Sequence, residues 1–328
     1  MVRILSRSDV LAVISMPEVI EAVERAFADL ARGSGNQPER IPATIPSSDG
    51  LLIPMTATLA RSDAGGVKLL ADLPANPARN LPRQQSTITM VDTGTGRCEA
   101  VLDGGAITQY RTAAASAVAT RQLARQDSRV LGLVGAGKQA RVHMTAISEV
   151  RPIDTVLVWS RNESTSVAFR NEMAGHGTDI RIADSPEQVV RSADILCTLT
   201  PSPTPVVHGE WFTPGTHINA VGAPPRPDHR EIDTEAIGRA RIVVDDAHVA
   251  LTESGAALIA LREGAITADD LRTELGDVLI GAQPGRRSDD EITLFNSVGV
   301  PIQDIATASL VLGPAREQDL GIEVALSD

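Results

Sequence analysis

The chain is poor in aromatic residues: Phe, Trp and Tyr make up 2% of 328 residues. That argues against the stacking platforms used to bind single-stranded nucleic acid. Cysteine is scarce too. Cys98 and Cys197 are the only two, far apart and without a CxxC pair. This argues against a disulfide framework or a cysteine-rich zinc site and fits a reducing compartment. Excess positive charge is also missing. With 42 acidic against 30 basic side chains the net charge is −12, the wrong sign for a general binder of nucleic acid or acidic membrane. No apolar stretch reaches the roughly 18 residues of a membrane span, and the N-terminus shows no apolar signal region. There is no HExxH, no GxSxG elbow and no Walker A loop, and the six histidines have no metal spacing. The expectation is a cytoplasmic protein acting on a small molecule, with no metal, nucleic acid or membrane as partner. At 42% hydrophobic and 22% charged, the remaining composition is that of a globular protein long enough for two domains.

What is present centres on 130–140. An apolar run, Val130-Leu131-Gly132-Leu133-Val134, reads as a buried strand. It ends in Gly135-Ala136-Gly137, and an amphipathic helical segment follows over 139–150. Strand, glycine turn and helix are the context a dinucleotide fingerprint requires. Gly135 permits the tight turn, and Gly137 lets backbone N–H groups approach a pyrophosphate at the positive end of the helix. Ala140 holds the third position, where a small residue lets helix and strand pack closely.

On either side of this motif the pattern differs. Before it, Ser15-Met16-Pro17-Glu18 reads as a helix start, with apolar residues at helical spacing to Leu30. Strand-like segments follow over 41–45, 51–59, 67–70, 86–91 and 99–102, with Asp92-Thr93-Gly94-Thr95-Gly96 as a hairpin turn. Thr108 reads as the cap of an alanine-rich helix over 109–125. From Arg129, short strands alternate with helices: 130–134, 155–159, 180–182, 195–199, 217–221 and 242–244. That alternation predicts a Rossmann-type, doubly wound parallel sheet in an α/β protein. Helices are expected over 255–263, 271–279 and 302–312, the last returning to the first domain. The expected division is 1–118 with 301–328 as an α+β substrate-binding and dimerisation domain, and 119–300 as the nucleotide domain.

Candidate chemistry lies in three places. The second parallel strand ends Trp159-Ser160-Arg161-Asn162, where NAD-binding folds usually carry an acid for the ribose 2′-OH. A hydroxyl and a guanidinium there suit a 2′-phosphate, so NADPH is expected over NADH. Lys68, inside the apolar strand Gly66-Val67-Lys68-Leu69-Leu70, is explained either by snorkelling or by an exposed strand face. Arg111 opens Arg111-Thr112-Ala113-Ala114-Ala115-Ser116, near an expected helix N-terminus whose dipole disfavours a cation. A bound anion would account for it. With Arg40, three cations from separate segments could converge on a carboxylate. His143 reads as packing or surface, and His208, His217 and His229 as core or solvent residues.

Taken in order, several of these stretches resemble the ornithine cyclodeaminase/mu-crystallin family. They are Val67-Lys68-Leu69-Leu70, Asp92-Thr93-Gly94-Thr95-Gly96, Thr108-Gln109-Tyr110 with the Arg111–Ser116 run, and Gly135-Ala136-Gly137-Lys138-Gln139-Ala140. Ile218-Asn219-Ala220-Val221-Gly222-Ala223 and Leu294-Phe295-Asn296-Ser297-Val298-Gly299 complete the set. The resemblance implies a homodimer whose first domain supplies substrate cations. It implies Lys68 and Arg111 as catalytic residues, and Arg40, Met55, Lys68, Arg111 and Gly299 around the substrate. It implies cofactor contacts from Thr112, Gly135, Ala136, Gly137, Lys138, Gln139, Ser160, Arg161, Asn162, Thr200, Val221, Gly222 and Val298.

One segment departs from the cyclodeaminases. Their Gly-x-Asp-x-Pro-Gly-Lys pattern carries the acid/base for the amine, whereas this chain reads Gly222-Ala223-Pro224-Pro225-Arg226-Pro227-Asp228-His229-Arg230-Glu231. Asp228 follows Pro227 and is a different position. The segment is similar to the ketimine reductase and pyrroline-2-carboxylate reductase branch. The resemblance therefore implies NADPH-dependent reduction of a cyclic imino acid, with the proton coming from water or Lys68. The alternatives are an L-alanine dehydrogenase or another amino-acid-forming reductase, with ornithine cyclodeamination disfavoured. A nucleotide-dependent small-ligand binding protein is the non-enzyme alternative.

Overall fold

The computed structural model describes residues 1–326, in two units: Met1–Arg111 with the segment from Val300, and Thr112–Gly299. The expected boundaries, after 118 and after 300, lie in the same helix and the same loop as these divisions.

In the first unit, β1 (Val2–Leu5) leads into α1 (Arg7–Val13), closed by a capping box between Ser6 and Asp9. Helix α2 (Met16–Ala31) follows, then the short strands β2 (Gly35–Asn36) and β3 (Ala43–Thr44). The strand expected over 41–45 shrinks to two residues because Pro42 and Pro46 flank it and cannot donate to a ladder. An antiparallel meander comes next: β4 (Leu51–Leu59), β5 (Ala64–Asp72), β6 (Gln84–Asp92) and β7 (Cys98–Asp103). Along β4 burial alternates, with Ile53, Met55, Ala57 and Leu59 inward.

Helix α3 (Gly104–Leu123) corrects the reading of Thr108 as a cap. Asp103 is the cap: its Oδ1 accepts from the Ala106 N–H at 2.7 Å. Two glycines after the aspartate disguised the start. Arg111 consequently lies about two turns inside the helix, so the dipole argument for an anion beside it does not hold.

The second unit runs β8 (Val130–Val134), α4 (Lys138–Ser148), β9 (Thr155–Trp159), α5 (Glu163–Met173), β10 (Asp179–Ile182), α6 (Pro186–Ser192) and β11 (Ile195–Thr198). It continues with β12 (His217–Ala220), α7 (Thr234–Gly238), β13 (Arg241–Val244), α8 (Ala247–Glu253), α9 (Gly255–Arg262), α10 (Leu275–Leu279) and β14 (Thr293–Asn296). All seven strands are parallel, in the order β10-β9-β8-β11-β12-β14-β13. The order reverses between β8 and β11, so the glycine turn after β8 stands at the topological switch point of a Rossmann sheet. Strand β14 is an addition to the expected set, wholly buried and inserted between β12 and β13. The single helix expected over 271–279 is interrupted because residues 273–274 pair with Val244 instead.

Helix α11 (Pro301–Glu317) returns to the first unit and packs on β4, β5, β6 and α2. Strand β15 (Ile322–Val324) then pairs antiparallel with β1, completing a sheet ordered β15-β1-β7-β6-β5-β4-β2, with β3 on β4. Among the described residues, no helix is long and apolar enough to cross a membrane.

Candidate active site

Strand register explains how a lysine reaches the interior of the first unit. Lys68 on β5 stands between Met55 of β4 and Ile88 of β6, in a row that faces inward. Met55 is 2%, Ile88 0% and Lys68 1% exposed, which rules out both snorkelling and an exposed face. The ammonium meets Asp304, in the first turn of α11, at 2.6 Å from Nζ to Oδ2. Arg111 meets the other oxygen: its Nε donates to Asp304 Oδ1 at 2.9 Å, and its Nη1 donates to Gln303 Oε1 at 2.5 Å. Lys68, Arg111, Gln303 and Asp304 are all buried. The Arg40 Nη1 lies 3.8 Å from Met55 Sδ. Arg40, Met55, Lys68 and Arg111 are therefore brought together.

The anion expected to join Lys68 and Arg111 is, in the protein itself, Asp304. This one carboxylate is shared by two cations, Lys68 and Arg111, so the three groups together retain positive charge for a further anion. Burial pulls the Lys68 pKa down to about 7; the Asp304 carboxylate opposes this, while Arg111 and Arg40 reinforce it. Lys68 can therefore exchange a proton near neutral pH, which an arginine cannot do.

The second unit carries the remaining predicted residues. Gly135 has φ +112°, and a Cβ there would fall 2.7 Å from the Leu199 carbonyl oxygen, so only glycine fits the turn. A Cβ on Gly137 would meet nothing within 4 Å, leaving room for a ligand against the backbone. Gly137 caps α4 with no side chain on the first N–H groups. Arg141 braces the turn from behind, its Nη1 donating to the Ala136 and Gly137 carbonyls at 3.0 and 2.9 Å. A helix N-terminus with open backbone N–H groups after a parallel strand fits the pyrophosphate of a dinucleotide. Arg161, directly after β9, is exposed and makes no hydrogen bond or ion pair among the described residues.

Two buried carboxylates brace loops at the C-terminal ends of the strands, and the sequence reading gave neither of them this role. Glu231 accepts from the Thr200 N–H (2.5 Å) and Oγ1 (2.8 Å), the Thr198 Oγ1 (2.8 Å) and the Gly222 N–H (2.6 Å). It thereby fixes the predicted cofactor residues Thr200 and Gly222. Asp245 Oδ2 accepts from Ser297 Oγ and from the Val298 and Gly299 N–H groups at 3.3, 2.9 and 2.6 Å. A small cavity among Val221, Pro224, Glu231, Ser254 and Val298 lies beside these loops.

Burial raises the Glu231 pKa from its ordinary 4.5 to about 7, against its four hydrogen bonds. The folded state then binds more protons than the unfolded chain between those values. Glu231's contribution to stability is full below 4.5 and lost as pH rises through 7. The stability advantage of wild type over Glu231→Gln should therefore shrink as thermal unfolding is followed from about pH 5 to about pH 8. An advantage that grew with pH would mean that the four donors, not burial, govern this carboxylate.

Asp228 stands apart from such chemistry. Its side chain is 78% exposed and hydrogen-bonds His229 Nδ1 at 2.9 Å, which holds its carboxyl below the usual range. His143 and His217 are core residues: His143 bridges Gln139 O and Ser116 Oγ, and His217 meets Thr293 Oγ1.

The sequence pattern of the Ornithine cyclodeaminase/mu-crystallin family matches residues 2–319. The chain belongs to that family. Within it, the chain is similar to Δ1-pyrroline-2-carboxylate reductase of Thermococcus litoralis, solved in complex with NADH and L-proline. They share 39% identity and a TM-score of 0.93, with 98% of this chain and 100% of the other covered. An archaeal alanine dehydrogenase dimer with bound NAD is 34% identical, with a TM-score of 0.93 and 99% of each chain covered. Ketimine reductase mu-crystallin of Mus musculus is 36% identical over 296 residues, covering 89% of this chain and 90% of its own.

Proposed function

We propose that this family member is an NADPH-dependent reductase of cyclic imino acids, converting Δ1-pyrroline-2-carboxylate or Δ1-piperideine-2-carboxylate to L-proline or L-pipecolate. The observation that carries the reading is the buried cluster in which two cations, Lys68 and Arg111, share the one carboxylate of Asp304. Such a site takes up one more carboxylate and offers it a proton donor. Arg111 and Arg40 hold the substrate carboxylate, fixing the position of the imine carbon. Lys68 gives its proton to the imine nitrogen. The Gly135–Gly137 turn would hold the pyrophosphate of the cofactor, whose reduced nicotinamide would supply the hydride. Arg161 favours the 2′-phosphate form, although relatives have been solved with NADH and NAD. The dimeric alanine dehydrogenase supports a homodimer here, and the two free cysteines fit the cytoplasm.

The same alanine dehydrogenase supports a second reading, reductive amination of a keto acid. Steady-state NADPH oxidation separates the two: the cyclic imines should turn over in ammonia-free buffer, whereas pyruvate should need ammonia. Cofactor-dependent ligand binding without oxidation of NADPH would indicate a binding protein instead.

Ornithine should not be deaminated. Pro224 and Pro225 occupy the region of the cyclodeaminase acid, and the exposed Asp228 is too weak a base. The expected result with ornithine and catalytic NAD is no ammonia above background. Sustained release would show that another residue supplies the base.

A further inference from the structure

The chain has 30 basic residues, of which only two, Lys68 and Lys138, are lysine. Every other cation is an arginine, whose charge is fixed. The one lysine of the first unit is nevertheless buried, a costly place for an ammonium. A planar arginine would serve a purely electrostatic clamp better. The exception is explained if a proton must leave this residue.

The groups facing Lys68 come from three elements. Asp304 of α11 lies at 2.6 Å and is the one anion. Arg111 of α3 and Arg40 of the β2–β3 loop contribute the same sign as Lys68 itself. The flanking strands offer only Met55 and Ile88, neither of which titrates. Asp304 cannot turn away, because its other oxygen is held by Arg111 Nε and Arg111 is held in turn by Gln303.

We propose that Asp304 is a positioning residue: its carboxylate keeps the proton on Lys68 and fixes the ammonium beside Arg111, so that Lys68 serves as the proton donor of the reduction. The inference rests on the imine-reductase reading for its chemical step. In that step hydride from the reduced nicotinamide adds to the imine carbon, and the C=N π pair passes to nitrogen. That pair takes a proton from Lys68, whose N–H bond breaks with its electrons left on Nζ, and water restores the proton. In this step Asp304 acts through its two ion-pair partners, Lys68 and Arg111.

The two-lysine composition makes the test direct. Protein labelled with ¹³C at lysine Cε gives two signals, and a Lys138→Arg variant assigns them. In the ligand-free wild type, the Lys68 signal should titrate near pH 7, the depressed value that burial beside Asp304 predicts. Asp304→Asn keeps the shape and removes the charge, so the midpoint should fall by at least about one pH unit. Asp304→Glu should return it to within about half a unit. The basic limb of kcat/KM against pH for the imine should move with these midpoints. A side chain that only supported the fold would lower activity and leave the limb in place. An Asp304→Asn protein that titrates like wild type, or a wild-type Lys68 that titrates near its ordinary 10.5, overturns the inference. If the midpoints shift as expected but wild type reduces no cyclic imine, the proton-donor role falls with the reductase reading. The hold of Asp304 on the Lys68 proton then stands.

Discussion

Replacing Lys68 with methionine should lower kcat/KM for the cyclic imine by about a hundredfold, the lower end of what a positioned general acid contributes. Methionine keeps an unbranched apolar stem in the row between Met55 and Ile88, so packing is largely preserved. Asp304 retains Arg111 as its partner, which avoids the several kcal/mol of a buried, unpaired carboxylate. What is lost is the proton donor and one cation. Arg111→Lys tests the other half of the site. A lysine has no planar fork with which to reach Asp304 Oδ1, Gln303 Oε1 and a substrate oxygen together. It should cost at least about tenfold, or roughly 1.4 kcal/mol of transition-state stabilisation. NADPH titration should stay near wild type for both variants. Wild-type kinetics in both would return Lys68 and Arg111 to a structural ion-pair network around Asp304.

Arg161→Ala should weaken NADPH by about ten- to a hundredfold, from roughly 1.5–3 kcal/mol for one charge-assisted contact to phosphate. NADH should be unaffected. The residue follows β9 directly, where the second strand of a dinucleotide fold meets the adenosine ribose. It is exposed and uncommitted to any partner among the described residues, so its removal disturbs little else. Fluorescence titration of both cofactors against wild type and variant measures the selectivity. Equal affinities in wild type, or equal losses in the variant, would remove the basis for an NADP(H) preference.

The nucleotide unit was legible in the sequence because its signals are local. An apolar pentapeptide, Gly135 at positive φ and an open helix N-terminus are all written within 130–140. Strand β14 was less so, since it is only four residues long and matters through its insertion between β12 and β13. In the first unit, the sequence named the cations but not what joins them. Lys68 and Asp304 are 236 positions apart, and their meeting depends on the inward register of β5 and the return of α11. Asp304 left one trace: a lone acid among the apolar residues at the start of α11. Arg111 was singled out on a mistaken premise, because Gly104 and Gly105 hid the true start of α3 and moved the expected dipole onto it. The braces made by Glu231 and Asp245 had no sequence signature at all, since each depends on loops that only the sheet brings together.

On the imine-reductase reading, the Lys68–Asp304–Arg111 cluster receives the carboxylate of a planar cyclic imino acid. Calorimetric titration of the NADP⁺-saturated protein with pyrrole-2-carboxylate tests it, at about pH 8 and in two buffers of different protonation enthalpy. Lys68 is mostly neutral there, and an arriving carboxylate favours its charged form, so binding should take up close to one proton. Pyrrole-2-carboxamide, with the same ring and no charge, should bind at least about tenfold more weakly. A carboxamide that binds as tightly as the carboxylate, with no proton taken up by either, would contradict a carboxylate site at this cluster.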